Sequence, residues 1–542
     1  MAFDSCADLV AGLRAALQHS VHAALPGYRG ADGTAPRAAA GAGQAVPGTD
    51  YSTTNTAESS VDEPDLVKTD GRRIVIVANG VLRVLDAASR QVTGTLALPG
   101  AGGVRFGGTG NLLLSGDHAL ITLAPTAIPV DNVMDGGIAP PDVLTQRLLL
   151  VDLAAPRPVV AGTYEIDGRV LDARQVGPIV RVVVTSAPRV RTPQEVGRAG
   201  LDELLPRYSV STKDGTAHGR VDCTAVTRPA VYSGESMLTI LTMDLSRPAL
   251  GPGDPVTIAA DASTVYSNGP SLYLADTFST PSATRLYAFD TSGSGRPRYL
   301  AAGSVPGYLL NQYALSEWRG DLRVATTSGD SSSVSVLRRQ GSVLRQVGSV
   351  GGLGKGQRVY GVRFAGPVGY VVTFRQTDPL YTVDLRDPAK PAVSGELELT
   401  GYSAYLHPVG EGRLIGVGQE ADARGGALGT QVSLFDVSNP ATPRRLARYV
   451  LPHTSSAAQY DPHAFLYWAP TGLLALPVAG APGGVLALRV KAGTITRLPW
   501  PASEVAAASR TLVVDRTVWT VAPNGLAATD LDTLAPLAWF PY

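Results

Sequence analysis

The chain has 542 residues, of which 60 are glycine and 40 are proline, and 44% are hydrophobic. Glycine and proline follow no three-residue period, which excludes a collagen-like fibre, and the hydrophobic content excludes global disorder. Basic and acidic residues balance at 46 each, so the charge does not indicate nucleic acid or an anionic membrane surface as a partner. The sequence also lacks an apolar run of about 18 residues, so no membrane-spanning helix is predicted.

The first 50 residues differ from the rest. Apolar residues recur at helical spacing between Leu9 and Leu25, which predicts an amphipathic helix within residues 1–25. Residues 26–50 are rich in glycine, alanine and proline and predict a flexible linker. The first residues do not have the pattern of a signal peptide. We therefore expect either a cytoplasmic protein or one exported after removal of a signal that this sequence does not include.

Two cysteines occur, Cys6 and Cys223, each in a polar stretch. Two free thiols are one interpretation. The other is a disulfide, which would stabilise the fold by roughly 4–5 kcal/mol in the loop-entropy model and would indicate an oxidising compartment.

From about residue 61 short strands repeat along the chain. Four-stranded units start near residues 65, 104, 169, 262, 312, 359, 403, 463 and 503, and residues 187–233 form an insertion. In six units an apolar strand ends in aspartate before a turn, at Leu82–Asp86, Leu148–Asp152, Leu286–Asp290, Leu380–Asp384, Val432–Asp436 and Leu526–Asp530.

Four antiparallel strands about every 40–50 residues are typical of a β-propeller. No helical pattern separates the strands, which excludes a parallel β/α fold. We therefore predict an all-β chain with a single large propeller over residues 51–542. It has eight or nine four-stranded blades, with nine units counted, and its first and last blades close the ring by contact.

Four stretches of the chain resemble a known family. They are Tyr51–Gly71 (YSTTNTAESSVDEPDLVKTDG), Gln312–Gly329, Val362–Gly418 and Asp461–Val478. They are similar to secreted proteins with a C-terminal β-propeller domain (the Beta_propel family, distantly related to WD40 repeats). The resemblance implies export, supports pairing of the two cysteines and implies no settled activity. That family often has two adjacent histidines where this chain has Pro462 and His463, and this difference disfavours a two-histidine metal site.

The predicted metal site combines residues from three units. The first residues of the innermost strands ring one mouth of the central channel, and the first, eighth and ninth units are neighbours in a closed ring. We therefore predict that Asp62, Glu63, Asp65, His463 and Glu504 converge there. A histidine with several carboxylates can bind a divalent cation such as copper, zinc or calcium, or act as a general acid and base. Alternatively, the acidic residues cap backbone N–H groups and the histidine is structural.

A second predicted set concerns ligand binding. Arg363, Arg375 and Glu317 are charged residues within apolar strands, where an unpaired charge is costly. Arg363 and Glu317 either pair with each other or leave an arginine that binds an anion. Tyr313 and Tyr360 lie at blade ends, where they can line a sugar or peptide groove or pack between blades.

The function predicted from these features is a secreted binding or scaffold protein with a ligand or metal site at the channel mouth. Familiar catalytic signatures are absent from the sequence. We expect a monomer whose partner is a small molecule, a peptide or a glycan. The alternative is a metal-dependent enzyme with its active site at the channel mouth, of the hydrolase or lyase class.

Overall fold

The structure, a computed structural model, describes residues 3–23, 50–99, 110–127, 144–154, 157–190, 192–229, 236–277, 283–374, 378–410, 412–422, 425–481, 483–501 and 507–542. The strands in these ranges form eight hydrogen-bonded sheets. One sheet contains two blades, which are joined by a single residue pair, Ala302 and Val343. The described residues therefore form nine blades.

Each blade begins with its innermost strand and adds strands outward in chain order. A helix α1 (Cys6–Ala23) precedes blade 1, which contains β1 (Val67–Thr69), β2 (Arg73–Ala78), β3 (Val81–Asp86) and β4 (Gln91–Ala97). Blade 2 contains β5 (Asn111–Ser115), β6 (His118–Thr122), the short β7 (Thr126–Ala127), β8 (Leu144–Asp152) and β9 (Val159–Asp167).

Blade 3 is interrupted by the insertion. It contains β10 (Arg169–Val176) and β11 (Ile179–Ser186), followed by α2 (Pro193–Arg198), α3 (Leu201–Leu204), β12 (Arg207–Thr212), β13 (Gly215–Arg220), the 3-10 helix η1 (Cys223–Ala225) and β14 (Val226–Thr227), and then β15 (Met237–Asp244) and β16 (Val256–Ala259).

The innermost strand of blade 5 is broken by a 3-10 helix. Blade 4 contains β17 (Thr264–Ser267), β18 (Ser271–Asp276), β19 (Ala283–Asp290) and β20 (Arg298–Pro306). Blade 5 contains β21 (Tyr308–Leu309), η2 (Gln312–Ala314), β22 (Leu315–Trp318), β23 (Asp321–Ser328), β24 (Ser331–Gln340) and β25 (Val343–Leu353). Blade 6 contains β26 (Arg358–Ala365), β27 (Val368–Phe374), β28 (Asp378–Asp384) and β29 (Ala392–Leu399).

The innermost strand of blade 8 is broken in the same way. Blade 7 contains β30 (Tyr402–Pro408), β31 (Arg413–Ala421), β32 (Ala427–Asp436) and β33 (Arg444–Pro452). Blade 8 contains β34 (Thr454–Ser456), η3 (Ala457–Gln459), η4 (Pro462–Ala464), β35 (Leu466–Trp468), β36 (Leu473–Gly480), β37 (Gly484–Lys491) and β38 (Thr494–Arg497). Blade 9 contains β39 (Arg510–Val514), β40 (Thr517–Ala522), β41 (Gly525–Asp530) and β42 (Pro536–Pro541).

Burial follows the position of each strand in its blade. Every residue of β2 is buried, whereas most of β4 is exposed. The neighbouring blades cover both faces of a second strand, so most of its residues are buried. The recurring aspartate caps the turn after the third strand: Asp86 accepts a hydrogen bond from the backbone N–H of Ser89 at 2.8 Å, and Asp384 accepts one from Arg386 at 2.9 Å.

The ring is closed by packing between blades 9 and 1. Trp519 of β40 is fully buried in a cluster that also holds Ile74 and Ile76 of β2. No strand needs to cross from one end of the chain to the other, because this apolar interface joins two complete blades. This interface is the contact between the first and last blades that the sequence predicts to close the ring.

Residues 50–66, which we call the channel segment, lie inside the ring. Tyr51 pairs with Val514 at the end of β39. Glu58 accepts a hydrogen bond from Tyr266 of blade 4 at 2.7 Å. Asp62 and Asp65 form backbone bridges to Gln175 of blade 3 and Leu112 of blade 2. A segment that contacts innermost strands on opposite sides of the ring must cross its axis, so the chain fills its own channel.

Helix α1 docks on the insertion, outside the ring. Leu9, Leu13 and Leu17 are buried in a cluster with apolar residues of α2, α3 and the following turn. Cys6 and Cys223 form a disulfide with a Cα–Cα distance of 5.4 Å. The hairpin of β12 and β13 extends the sheet of blade 2 through β9.

Candidate functional site

The broken strands of blades 5 and 8 carry side chains into the channel. In blade 5, Asn311 accepts a hydrogen bond from the N–H of Tyr313 at 3.0 Å and starts the 3-10 turn η2. In blade 8, Ser456 caps η3 in the same way, and η4 follows with His463. A 3-10 turn takes residues out of the β ladder. It therefore lets Gln312, Tyr313 and His463 approach the channel segment more closely than ladder residues would.

Glu63 lies at the centre of this arrangement and is 1% exposed. Its carboxylate accepts hydrogen bonds from the N–H of Ala57 at 3.0 Å and from the amide of Gln312 at 3.2 Å. His463 Nε2 lies 3.4 Å from Glu63 Oε2. Gln312 in turn accepts a hydrogen bond from the guanidinium of Arg174, a buried residue of β10. One carboxylate of the channel segment is thus held by blades 3, 5 and 8.

A second carboxylate, Asp65, is held by blade 9. Arg510 Nε donates to Asp65 Oδ1 at 2.8 Å, and Arg510 Nη2 lies 2.7 Å from Asp461 Oδ2. His463 Nδ1 lies 3.9 Å from Asp65 and 3.8 Å from Asp461. Four charged groups from three separate parts of the sequence therefore compensate each other in the channel.

The electrostatic surroundings keep this network ionised. Burial alone would raise the pKa of Glu63, but the charge of Arg174 and the contact with His463 hold it at about 2. Burial alone would lower the pKa of His463, but the charge of Asp65 and the contact with Glu63 raise it above its ordinary value. The pair is therefore a carboxylate facing an imidazolium at mildly acidic pH.

Asp62 pairs with a lysine of blade 1 rather than with the groups around Glu63. Its carboxylate lies 2.6 Å from the ammonium group of Lys68, which is buried and also donates to Thr54 at 2.6 Å. The structure brings Glu63, Asp65 and His463 together although they are about 400 residues apart in sequence. Asp62 is turned towards Lys68 instead.

The described carboxylates of the predicted metal set already have partners within the protein. Among the described residues no group of three or more histidine, cysteine, aspartate or glutamate side chains is arranged to hold a metal. Asp62 and Asp65 each face a protein cation, and Glu63 receives hydrogen bonds from Ala57 and Gln312. Glu504, the fifth predicted ligand, lies outside the described residues, so the metal set stays a prediction.

The predicted ligand-binding residues are distributed around blades 5 and 6. Glu317 accepts a hydrogen bond from Tyr273 at 2.8 Å and forms no ion pair with Arg363. Arg363 instead lies over the ring of Tyr313, with 5.7 Å from the guanidinium carbon to the ring centroid. Tyr360 packs against Phe374 and Tyr402 with centroid distances of 5.2 and 5.1 Å, between blades 6 and 7. Arg375 lies outside the described residues.

Five residues of the network were not predicted from the sequence: Lys68, Arg174, Gln312, Asp461 and Arg510. Arg174 lies in β10, which also contains Arg169 and Asp172. The criterion that identified Arg363, a charge within an apolar strand, therefore does not apply to it. Arg510 begins the innermost strand of blade 9. As the first residue of this strand, Arg510 reaches Asp65.

A polar cavity of about 240 Å³ adjoins the network. Its wall combines the channel segment with blades 1, 3, 8 and 9. Its lining includes hydroxyl residues of the channel segment and charged residues of the network. The hydroxyl residues are Ser52, Thr53, Thr54, Thr56, Ser59 and Ser60, and the charged ones are Asp62, Asp65, Lys68, His463 and Arg510.

Comparison with known families identifies the fold. Residues 51–534 match the family described as the Beta propeller domain. The chain belongs to this family. Among the described residues, no helix is both long enough and apolar enough to cross a membrane.

Two relatives from archaea match part of the chain. The chain is 42% identical over 173 residues to an uncharacterised protein of Methanocaldococcus jannaschii, and 41% identical over 187 residues to an uncharacterised protein of Archaeoglobus fulgidus. These matches cover 31% and 34% of this chain. They cover 26% and 29% of the two relatives, so the chain spans less than a third of their length.

Solved structures are similar only at the level of the fold. Periplasmic gluconolactonase of Pseudomonas aeruginosa has a TM-score of 0.36 at 13% identity and covers 57% of this chain and 94% of its own. Apo AztD of Citrobacter koseri has a TM-score of 0.32 at 12% identity, with 86% and 94% covered. Similarities this weak carry no conclusion about function.

Proposed function

We propose that this propeller is an exported binding protein, whose ligand is a small polar molecule held in the cavity beside the channel segment. The observation that carries the proposal is the composition of the cavity wall, which combines many hydroxyl residues with charged side chains. Hydroxyls both donate and accept hydrogen bonds, so they suit a ligand that carries hydroxyls itself. A volume of about 240 Å³ lies below the usual range for drug-sized ligands, which favours a single sugar or a polyol.

Unpartnered polar atoms support the same proposal. The side-chain oxygens of Asn55, Gln175 and Thr511 are enclosed and have no hydrogen-bond partner within the described parts of the chain. All three residues line the cavity. Enclosed polar atoms in folded proteins nearly always find a partner, whether protein, water or ligand.

The experiment is a binding titration with a panel of monosaccharides and polyols, followed by calorimetry. Ser60→Trp places a large ring at the exposed edge of the cavity and should abolish binding. Ser342→Trp, in the exposed turn between β24 and β25, is the matched control and should bind as the wild type does. Absence of binding by every panel member, or equal binding by Ser60→Trp, would sink the proposal.

The alternative, a metal-dependent enzyme, rests on the approach of Glu63, Asp65 and His463. We propose elemental analysis of the purified protein with His463→Ala as the control. Stoichiometric copper, zinc or calcium that the substitution removes would favour the enzyme. A metal-free protein that keeps its unfolding temperature in chelator would favour the binding protein.

Export is proposed on the disulfide between Cys6 and Cys223, because such bonds persist mainly in oxidising compartments. Thiol titration of protein purified without reductant from its native host tests it. We expect fewer than one free thiol per chain, and two free thiols would contradict export.

A further inference from the structure

Arg363 presents a cation without a protein partner at the inner wall of blade 6. It lies near the end of β26, and its guanidinium carbon is 5.7 Å from the ring centroid of Tyr313. Within the described parts of the chain it forms no ion pair or hydrogen bond, and its Nε is enclosed. A half-buried charge without a partner is costly, because it loses water without gaining a counter-charge.

Its neighbours do not supply the missing negative charge. Burial, with the charge of Arg363, lowers the pKa of His407 to about 3, so this imidazole is neutral at physiological pH. Tyr313 and Tyr405 are buried phenols whose pKa values are raised, so they are neutral as well. The hydroxyl of Tyr313 is enclosed and also lacks a hydrogen-bond partner in the described chain.

We propose that Arg363 binds the carboxylate of a small organic acid, at a site separate from the polar cavity. Arginine pairs with a carboxylate through two parallel hydrogen bonds, which matches a planar monoanion. Tyr313, Tyr405 and His407 beside Arg363 are buried and offer no open face, so only a small acid that reaches the exposed side of the guanidinium fits.

A phosphate is disfavoured at this site for an electrostatic reason. The negative charge of Glu63 reaches both Tyr313 and Tyr405 and raises the pKa of each. Glu63 would repel a dianion beside Arg363 about twice as strongly as a monoanion, and Arg363 is the single cation of the proposed site that attracts either of them.

The experiment measures the unfolding temperature of the full chain with acetate, lactate or phosphate, with ionic strength held constant by chloride. Ligand that binds only the folded protein raises the unfolding temperature in proportion to its occupancy. We expect acetate and lactate to raise it in the wild type. Arg363→Gln should lose the effect, and Arg363→Lys should keep a weaker one, because it retains the charge without the two-pronged geometry.

Arg345→Gln, on the exposed face of β25, is the matched control and should respond to carboxylates as the wild type does. Since Arg363 has no protein partner to lose, Arg363→Gln should fold, and a far-ultraviolet circular dichroism spectrum verifies this. An equal response of Arg363→Gln, no response of the wild type, or a larger response to phosphate than to lactate would overturn the proposal. None of these results bears on the polar cavity, which Ser60→Trp tests separately.

Discussion

Glu63 shows how a buried charge can organise a fold. Its carboxylate accepts hydrogen bonds from the channel segment and from blade 5. His463 of blade 8 lies 3.4 Å away, and Arg174 of blade 3 adds its positive charge. Burial of a carboxylate costs free energy, and several partners together, rather than any single one, stabilise the charge of Glu63. Removing one partner leaves the others unmatched. The cost therefore falls on the whole network.

We predict that Glu63→Gln lowers the free energy of unfolding by about 3–5 kcal/mol, the range for breaking a buried ion pair. The substitution keeps the shape but removes the charge that Glu63 presents to His463 and Arg174. Asp65 remains near His463, and Asp172 remains paired with Arg174. Urea denaturation at neutral pH measures the effect. Glu398→Gln, on the exposed strand β29, should change the free energy by less than about 0.5 kcal/mol. A loss of the same size in both variants would contradict the role of Glu63.

His463 gives the network a pH dependence of known sign. Its pKa is raised in the folded protein, so its contribution to stability is complete below its ordinary value near 6.5 and is lost as pH rises through the folded value. The pKa of Glu63 is lowered to about 2, so its contribution is complete above its ordinary value of 4.5 and is lost as pH falls. Both contributions are therefore present together only in the window between.

The wild type should exceed His463→Gln in stability most strongly between about pH 4.5 and 6.5, with the difference shrinking above pH 7. Urea denaturation of both proteins across this range gives the difference directly. Taking the difference also cancels His407, whose lowered pKa reduces the stability of both proteins below pH 6.5. His218→Gln, exposed on β13, should track the wild type at every pH. A difference that grows with pH would contradict the assignment.

The order of the strands within each blade could be predicted from the sequence, whereas the breaks in two innermost strands could not. The repeated aspartate turns mark the third strand in six blades because the same backbone turn needs the same cap. The breaks in blades 5 and 8 carry no comparable signal. Units were predicted to start near 312 and 463, whereas their innermost strands begin at Tyr308 and Thr454. The 3-10 turns η2 and η4 lie at the predicted starts and position Gln312 and His463.

The partners of the charged residues could not be predicted in full, for a related reason. Asp65 and His463 were expected to meet because ring closure makes their blades neighbours. That Asp62 turns to Lys68, or that Arg510 reaches Asp65, depends on how residues 50–66 cross the channel. The sequence between Tyr51 and Leu66 has no periodicity that would indicate such a path. Only the finished ring determines it.

The disulfide is predicted to hold α1 on the insertion rather than to hold the propeller together. Cys6→Ser with Cys223→Ser removes the link but leaves the apolar contacts of Leu9 and Leu13. We therefore expect faster amide hydrogen exchange in α1 and α2, with exchange in β23 and β27 unchanged. Wild type treated with reductant should behave like the double variant. Faster exchange throughout the blades would show instead that the disulfide stabilises the whole ring.

The whole molecule depends on two kinds of closure. The channel segment fills the axis with a polar network, and blade 9 meets blade 1 through an apolar interface. The polar network determines which blades the channel segment contacts. The apolar interface joins the last blade to the first and so closes the ring. A ring of nine blades leaves a wider axis than a smaller ring would. This is a physical reason for residues 50–66 to lie inside it.

Trp519 tests the closure itself. It is fully buried, lies 6.0 Å from Phe540 between ring centroids, and packs in the cluster that contains Ile74. Trp519→Ala should lower the free energy of unfolding by about 3–5 kcal/mol, the usual cost of such a truncation. Because the lost contacts join the first and last blades, amide exchange should rise first in β2 and β40. It should rise later in β23, on the far side of the ring. Leu537→Ala, on the outer strand of the same blade and 38% exposed, should cost less than about 0.5 kcal/mol. Uniform exchange across all blades in Trp519→Ala would mean that the ring opens everywhere at once rather than at its closing interface.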